Sequence, residues 1–174
     1  MNLSIIVSVY NEEEVLQSFF NQLQNALSTI DGDKEIIFVN DGSYDNSLNQ
    51  LLSFKSNEIK IIVVNFSRNF GHEAAMLAGI DLSRGRAVIC LDADMQHPPA
   101  IISKMYEKYL EGFDVINMVR KENHGTTLTK KLCAKFYYWF FNKISSVKLE
   151  ENASDFFLIS QKIANILKTE FRER

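Results

Sequence analysis

The sequence predicts an α/β fold: a mostly parallel sheet flanked by helices, in a single domain. Three observations carry that prediction. Apolar stretches begin near residues 3, 35, 59, 87 and 114, and this spacing is the length of a strand–helix–strand repeat. The stretches are nearly continuous in β-branched and apolar residues, as strands covered on both faces are. The first four end in polar signatures: Tyr10 to Glu12, Asn40-Asp41-Gly42-Ser43, Ser67-Arg68-Asn69 and Asp92-Ala93-Asp94. In open α/β sheets the ligand site lies beyond the carboxyl ends of the strands, so all four signatures belong on one rim.

The elements follow in order. Leu3 to Val9 is the first strand. Asn11 is placed to cap a helix whose first turn is acidic (Glu12, Glu13, Glu14), an arrangement that suits the helix dipole. Val15, Leu16, Phe19, Phe20, Leu23, Leu27 and Ile30 continue it at helical spacing, and Asp31-Gly32-Asp33 stops it. The second strand is Glu35 to Val39. A helix from about Asp45 follows, with Leu48, Leu51 and Leu52 inward. The third strand is Ile59 to Asn65, and a small-residue helix runs from Ala74 to Leu82. The fourth strand, Ala87 to Leu91, leads through Asp92, Asp94 and Gln96 to Pro98-Pro99. Proline is tolerated in a first helical turn, so a helix starts there, with Ile101, Ile102, Met105, Tyr106 and Tyr109 on its apolar side. Asp114 to Val119 is the fifth strand. Asn152 to Ser160 returns as a further strand, and Lys162 to Lys168 reads as a terminal helix.

The chain has 174 residues, 46% apolar and 24% charged, enough to bury a core as one domain. A formal net charge of −3 gives no general pull toward nucleic acid. Cys90 and Cys133 sit in apolar sequence without metal-ligand spacing and read as reduced, buried thiols of a cytosolic protein. No signal peptide is visible, and no apolar run nears the about 18 residues that cross a bilayer. One segment stands apart. From Asn123 to Leu149 there is no acid, while Lys130, Lys131, Lys135, Lys143 and Lys148 surround the run Phe136-Tyr137-Tyr138-Trp139-Phe140-Phe141. Six consecutive aromatics at helical pitch cover every face and cannot all enter one core. A basic, aromatic helix fits a membrane surface, with rings in the headgroup layer and lysines toward anionic lipid. The plainer reading is a core helix packed on a partner.

Several chemistries are excluded. There is no Gly-x-Gly-x-x-Gly after a strand, no Gly-Lys-Ser/Thr and no Gly-x-Ser-x-Gly. His72-Glu73-Ala74-Ala75-Met76 begins like a zinc-protease helix but has Met76 where a second histidine belongs. His72, His97 and His124 are dispersed. What remains is Asp92-Ala93-Asp94-Met95-Gln96. In an extended segment residues i, i+2 and i+4 point to one side, so Asp92, Asp94 and Gln96 are candidate oxygen ligands for Mg²⁺ or Mn²⁺. Two carboxylates so close repel unless positive charge lies between them. A metal held by such a pair would offset the charge of a nucleoside diphosphate leaving group. Taken alone, Asp-x-Asp is better explained by a solvated acidic turn at a strand end.

Five motifs in order resemble family 2 glycosyltransferases of the GT-A fold: Ser8-Val9-Tyr10-Asn11-Glu12-Glu13, Phe38-Val39-Asn40-Asp41-Gly42-Ser43-Tyr44-Asp45, Ser67-Arg68-Asn69-Phe70-Gly71-His72-Glu73, Asp92-Ala93-Asp94-Met95-Gln96-His97-Pro98-Pro99, and Ser154-Asp155-Phe156-Phe157-Leu158. Within the family they are most similar to polyprenyl-phosphate glycosyltransferases, the group of dolichyl-phosphate mannose synthase and bactoprenol glucosyltransferases. The resemblance implies a nucleotide pocket lined by Val9, Tyr10, Glu12 and Asp41, with Asp41 near the base. It implies that Asp92, Ala93 and Asp94 meet the metal and diphosphate, with Gln96 assisting, and that Arg120 meets the diphosphate or the acceptor phosphate. Asp155 falls on the acceptor side. Asp92, Asp94, Asp155 and Arg120 form the implied catalytic set. Ser67, Arg68, Asn69 and His72 either shape the donor pocket or cap the next helix.

The implied reaction is inverting transfer of a hexose from UDP- or GDP-sugar, UDP-glucose first, to a polyprenyl phosphate. Mg²⁺ or Mn²⁺ is the implied cofactor, and the place is the cytoplasmic side of a membrane, peripheral for this chain. Residues 1–122 would form the nucleotide-sugar core and 123–174 the acceptor and membrane-surface segment, with transmembrane helices expected beyond the chain. Oligomeric state is unread, with a homo-oligomer compatible. Three departures stand out: Val9 where proline is usual before the tyrosine, His97 where aspartate is common, and Phe157 in place of the arginine of an Asp-Phe-Arg-Leu motif. The last leaves open a transferase acting on a glycan, or a non-catalytic nucleotide-sugar-binding relative.

Overall fold

A computed structural model describes residues 1–96, 98–119 and 153–170. The chain divides into two compact units, Met1–Ile116 with Asp155–Arg174, and Asn117–Ser154. Arg120, His124 and the lysine-aromatic segment lie outside the described residues, as does His97.

The strands are β1 (Leu3–Val9), β2 (Lys34–Asn40), β3 (Ile59–Asn65), β4 (Ala87–Asp92), β5 (Val115–Val119) and β6 (Ala153–Ser160). They form a six-stranded sheet in the order β3-β2-β1-β4-β6-β5. β1 pairs parallel with β2 and β4, and β2 parallel with β3. β6 runs antiparallel to β4, so the sheet is mixed. The central strand β1 is buried along its whole length, which is why its sequence shows no polar alternation.

Helices α1 (Leu16–Ser28), α2 (Ser47–Ser53), α3 (His72–Leu82), α4 (Ile102–Leu110, after a 3-10 turn at Pro99–Ile101) and α5 (Gln161–Glu170) flank the sheet. On one face, α3 and α5 bring Ala75, Met76, Ile80 and Ala164 onto Ile6, Ile37, Val39, Val88, Cys90 and Ile159. Gly79 lets α3 come close, because a Cβ there would fall 2.2 Å from Ile6 Cγ2. On the other face Phe20 of α1 stacks on Phe54 at 4.1 Å between centroids and meets Phe38 edge-on. These buried rings anchor α1 with a large share of its apolar burial.

At the far end of the sheet from the polar signatures, the Ser4 hydroxyl donates to Glu35 Oε1 (2.6 Å). The N–H groups of Arg84 and Gly85 donate to the Ser4 oxygen. This buried knot fixes where β4 begins, and hence where it ends.

Three local expectations change. The first helix begins at Leu16, not at Asn11. Asn11 adopts a left-handed φ of 57°; its N–H donates to Ser43 Oγ and its side-chain oxygen accepts the Tyr44 N–H. It clasps the β2–α2 loop instead of capping α1. Glu12 and Glu13 continue that stitching, their N–H groups donating to Ser47 Oγ and Asp45 Oδ2. Leu52 points outward, 63% exposed, while Leu51 is buried, because α2 starts at Ser47 and is short. The extended geometry ends at Asp92: residues 93–96 bend and Met95 has a φ of 61°, so strand alternation does not carry Asp94 and Gln96 to the side of Asp92.

Candidate functional site

The carboxyl ends of β1, β2, β3 and β4 meet around one cavity of ≈ 380 Å³. β1 contributes Ser8, and the turn after it Tyr10 and Glu12. Asp41 follows β2. Asn69 and Gly71 come from the β3–α3 connection and His72 from the start of α3, Asp92 from the end of β4 and Asp94 from the turn after it. A larger cavity, ≈ 500 Å³, opens by Arg86, Tyr109, Phe113, Ser160 and Lys162. It lies at the amino end of β4, away from every strand-end signature, so the smaller one is the candidate site.

Asp41 is 2% exposed. Its two carboxylate oxygens accept the N–H groups of Phe70 (2.7 Å) and Gly71 (3.0 Å), and its own N–H donates to the Val9 carbonyl. It therefore bonds the main chain of a neighbouring loop, not of its own turn. Gly42 makes this approach feasible. Its φ is 70°, and a Cβ there would lie 2.3 Å from the Arg68 carbonyl carbon and 2.5 Å from the Asn69 nitrogen. Arg68 in turn lies over the Phe70 ring, 4.3 Å from its centroid. Tyr10, 42% exposed at the mouth, meets Tyr44 edge-on at 6.2 Å.

The acids of the β1 and β4 ends have a different environment. Glu12 is pushed above the ordinary glutamate value, first by burial and then by the negative charges of Asp94, Asp92 and Asp45. Asp94 Oδ1 accepts the Gln96 N–H at 2.9 Å. Asp92 Oδ1 stands 3.0 Å from His72 Nδ1. His72 is raised above its usual value chiefly by that hydrogen bond, which outweighs burial; the charges of Asp92, Asp155 and Glu73 add to it. Single ligand atoms of His72, Asp92 and Asp155 lie within 4.8 Å of one another. Cys90, behind Asp92, has its thiol pushed far up by burial and is chemically inert.

Of the residues singled out from sequence, Tyr10, Glu12, Asp41, Asp92 and Asp94 share the cavity. Val9 and Ala93 are buried beside it, with the Val9 carbonyl and the Ala93 N–H engaged by Asp41 and Ser8. Gln96 is exposed at the outer edge, and Arg120 lies outside the described residues. Sequence reasoning offered His72 for the donor pocket or for the helix cap, and it lines the cavity, but it was not joined to Asp92 and Asp155. The available signal was its position at the start of a helix facing the rim. Phe157 packs with the α3–α5 core, two residues from Asp155 on the same side of β6.

A parallel core sheet with an antiparallel β6 and an acid-lined rim beyond β1, β2 and β4 defines the GT-A type of glycosyltransferase fold. The chain belongs to glycosyl transferase family 2, whose sequence profile matches residues 4–165. It is 40% identical over 168 residues to an uncharacterized glycosyltransferase of Synechocystis sp., covering 97% of this chain and 53% of that protein. A bactoprenol glucosyl transferase of Shigella phage SfX is 34% identical over 97% of this chain and 55% of its own length. The chain thus spans about half the length of the curated relatives it matches. Among solved structures, glucosyl-3-phosphoglycerate synthase from Mycobacterium tuberculosis, in complex with Mn²⁺, UDP and phosphoglyceric acid, superposes with a TM-score of 0.63 at 16% identity, over 93% of this chain and 56% of that one. S. aureus TarS in complex with UDP-GlcNAc gives 0.56 at 22% identity, over 74% and 37%. These two likenesses establish the fold.

Proposed function

We propose that this domain transfers a hexose from a nucleotide sugar, UDP-glucose first, to a polyprenyl phosphate, with inversion at the sugar carbon. The observation that carries this reading is the single rim cavity uniting Tyr10, Glu12, Asp41, Asp92 and Asp94. The bactoprenol glucosyl transferase relatives supply the acceptor class. Residues 1–122 would bind the nucleotide sugar and 123–174 the acceptor.

The donor set fits a divalent ion. Glu12, Asp92 and Asp94 line one cavity, and burial first, then the negative charges of Asp94 and Asp92, raise Glu12 above its ordinary value. Asp92 and Asp94 would hold Mg²⁺ or Mn²⁺, with Gln96 assisting, and the bound ion would offset charge on the diphosphate leaving group. Tyr10 would flank the base, while Asp41 holds the β3–α3 loop that forms the opposite wall. The acceptor phosphate is a monoester, already mostly dianionic at neutral pH. Its oxygen bonds to the sugar carbon from the face opposite the diphosphate as the carbon–oxygen bond to diphosphate breaks. No proton has to leave the attacking oxygen, so no general base is required. Arg120 would meet one of the two phosphates.

The lysine-aromatic segment 123–149 would hold the enzyme at the cytoplasmic membrane surface beside its lipid acceptor. No helix among the described residues is long and apolar enough to cross a membrane. Anionic vesicles are expected to co-sediment the chain; replacing Lys130, Lys131 and Lys135 by Glu should release it, and unchanged sedimentation would contradict surface binding.

Phe157 favours a second reading. Its partly buried ring packs against the core where the family motif usually has an arginine, and this fits a domain that binds nucleotide sugar without transferring it. Labelled sugar appearing on polyprenyl phosphate, from any common nucleotide donor with Mn²⁺, supports the transferase. Nucleotide binding without transfer supports the second reading, and transfer only to a saccharide redirects the acceptor.

A further inference from the structure

Tyr44 is an aromatic residue that the core does not use: its side chain is 85% exposed. Exposure of a single ring is ordinary, but the main chain beneath this one is tightly held. The Tyr44 N–H donates to Asn11 Oδ1 at 3.0 Å, and the Asn11 N–H donates to Ser43 Oγ at 3.0 Å. Asp45 Oδ2 accepts the Glu13 N–H, and Glu13 Oε2 accepts the Asn46 N–H. Asn11 takes its left-handed φ of 57° inside this clasp, a conformation that asparagine tolerates and that the bonds to Ser43 and Tyr44 fix. The turn carrying Tyr10 and the loop carrying Tyr44 are thereby one stitched unit. Their rings meet edge-on, with 6.2 Å between centroids and 85° between planes. Tyr10 lines the rim cavity and is 42% exposed. Perpendicular packing restrains a ring without covering it as a stacked neighbour would. Tyr10 is therefore limited in its rotation and still open to a ligand.

We propose that Tyr44 is a positioning residue for the donor: it holds the Tyr10 ring in the orientation that receives the nucleobase, and it acts through Tyr10 without touching the nucleotide. The inference rests on the reading of Tyr10 as the residue that flanks the base, and deepens it. A ring already held loses less freedom when the base arrives, so the contact strengthens binding without adding a hydrogen bond to the ligand. The contact is between rings, so the aromatic ring of Tyr44 is needed and its hydroxyl is not. The benefit falls on the nucleoside part of the donor, while the diphosphate belongs to the acidic end of the cavity.

A double-mutant cycle on nucleotide binding tests this, by calorimetry with Mn²⁺ and UDP, or GDP if the native chain binds it more tightly. Tyr44→Ala should weaken the nucleotide about 3- to 10-fold, the range of an edge-on aromatic pair, while Tyr44→Phe should stay within about 2-fold of the native chain. In a Tyr10→Ala background, Tyr44→Ala should cost less than about 1.5-fold more, because the residue through which it acts is gone. Inorganic pyrophosphate with Mn²⁺ carries no base and should bind Tyr44→Ala and the native chain equally, which separates a misplaced Tyr10 from a collapsed site. An undiminished affinity in Tyr44→Ala, its full loss repeated in the Tyr10→Ala background, or an equal fall for pyrophosphate would overturn the proposal. If Tyr10→Ala weakens the nucleotide and Tyr44→Ala does not, this inference alone is overturned. If Tyr10→Ala binds the nucleotide as the native chain does, the reading of Tyr10 at the base is lost and this inference with it.

Discussion

Asp41 and Asp92 stand at equivalent strand ends on either side of β1, and their surroundings are opposite. Asp41 is buried and accepts two main-chain N–H groups, so its charge is answered by the protein itself. Asp92 shares its surroundings with Glu12, Asp94 and Asp155; the one basic group in direct contact with it among the described residues is His72. Buried polar groups are satisfied as a rule. One acid of the rim is thus part of the scaffold, while Glu12, Asp92 and Asp94 line the cavity itself.

The comparison breaks most sharply at Asp41. Asp41→Ala leaves two N–H groups of the β3–α3 loop without an acceptor, and should lower the unfolding free energy by about 2–4 kcal/mol in denaturant titration. A loss no larger than that of Asp94→Asn would erase the distinction between the two regions. Gly42→Ala attacks the same clasp through the backbone. A methyl group between Gly42 and the Arg68–Asn69 peptide, at positive φ, should cost about 1–3 kcal/mol by the same measurement; a neutral outcome would mean that the loops are not held by this approach. The smallest effect lies on the acidic side. The folded-state value of Glu12 is raised, so its contribution to stability is fully present below the unfolded value and is lost as pH rises through the folded one. In EDTA, native stability should decline across that window more steeply than in Glu12→Gln, and parallel pH profiles would show that Glu12 does not feel its neighbours.

Much of the fold was legible. The bounds of β1 and β3 coincide with their apolar runs: β1 is buried along its whole length and β3, at the sheet edge and only partly buried, keeps a β-branched run. The start of α1 was not legible. Asn11 and the three glutamates form a sound helix-start signal, yet the β2–α2 loop offers Ser43, Asp45 and Ser47 as partners, and those tertiary bonds win. The order of the parallel strands could be inferred only as a class, and nothing local in residues 153–160 encodes that they pair antiparallel with β4. That pairing brings Asp155 opposite Asp92, so the His72–Asp92–Asp155 grouping was invisible along the chain even though each member was named. Asp92 and Asp94 were legible as a pair, but not the bend at Met95 that ends the strand alternation while leaving both in one cavity.

The central claim is that the acidic rim around Asp92 and Asp94 takes a cation that carries a nucleotide diphosphate. Calorimetry of UDP binding, with Mn²⁺ and again in EDTA, tests it most directly. The account predicts binding only with the ion, and its loss by at least about 100-fold in Asp94→Asn; equal binding in EDTA would contradict it.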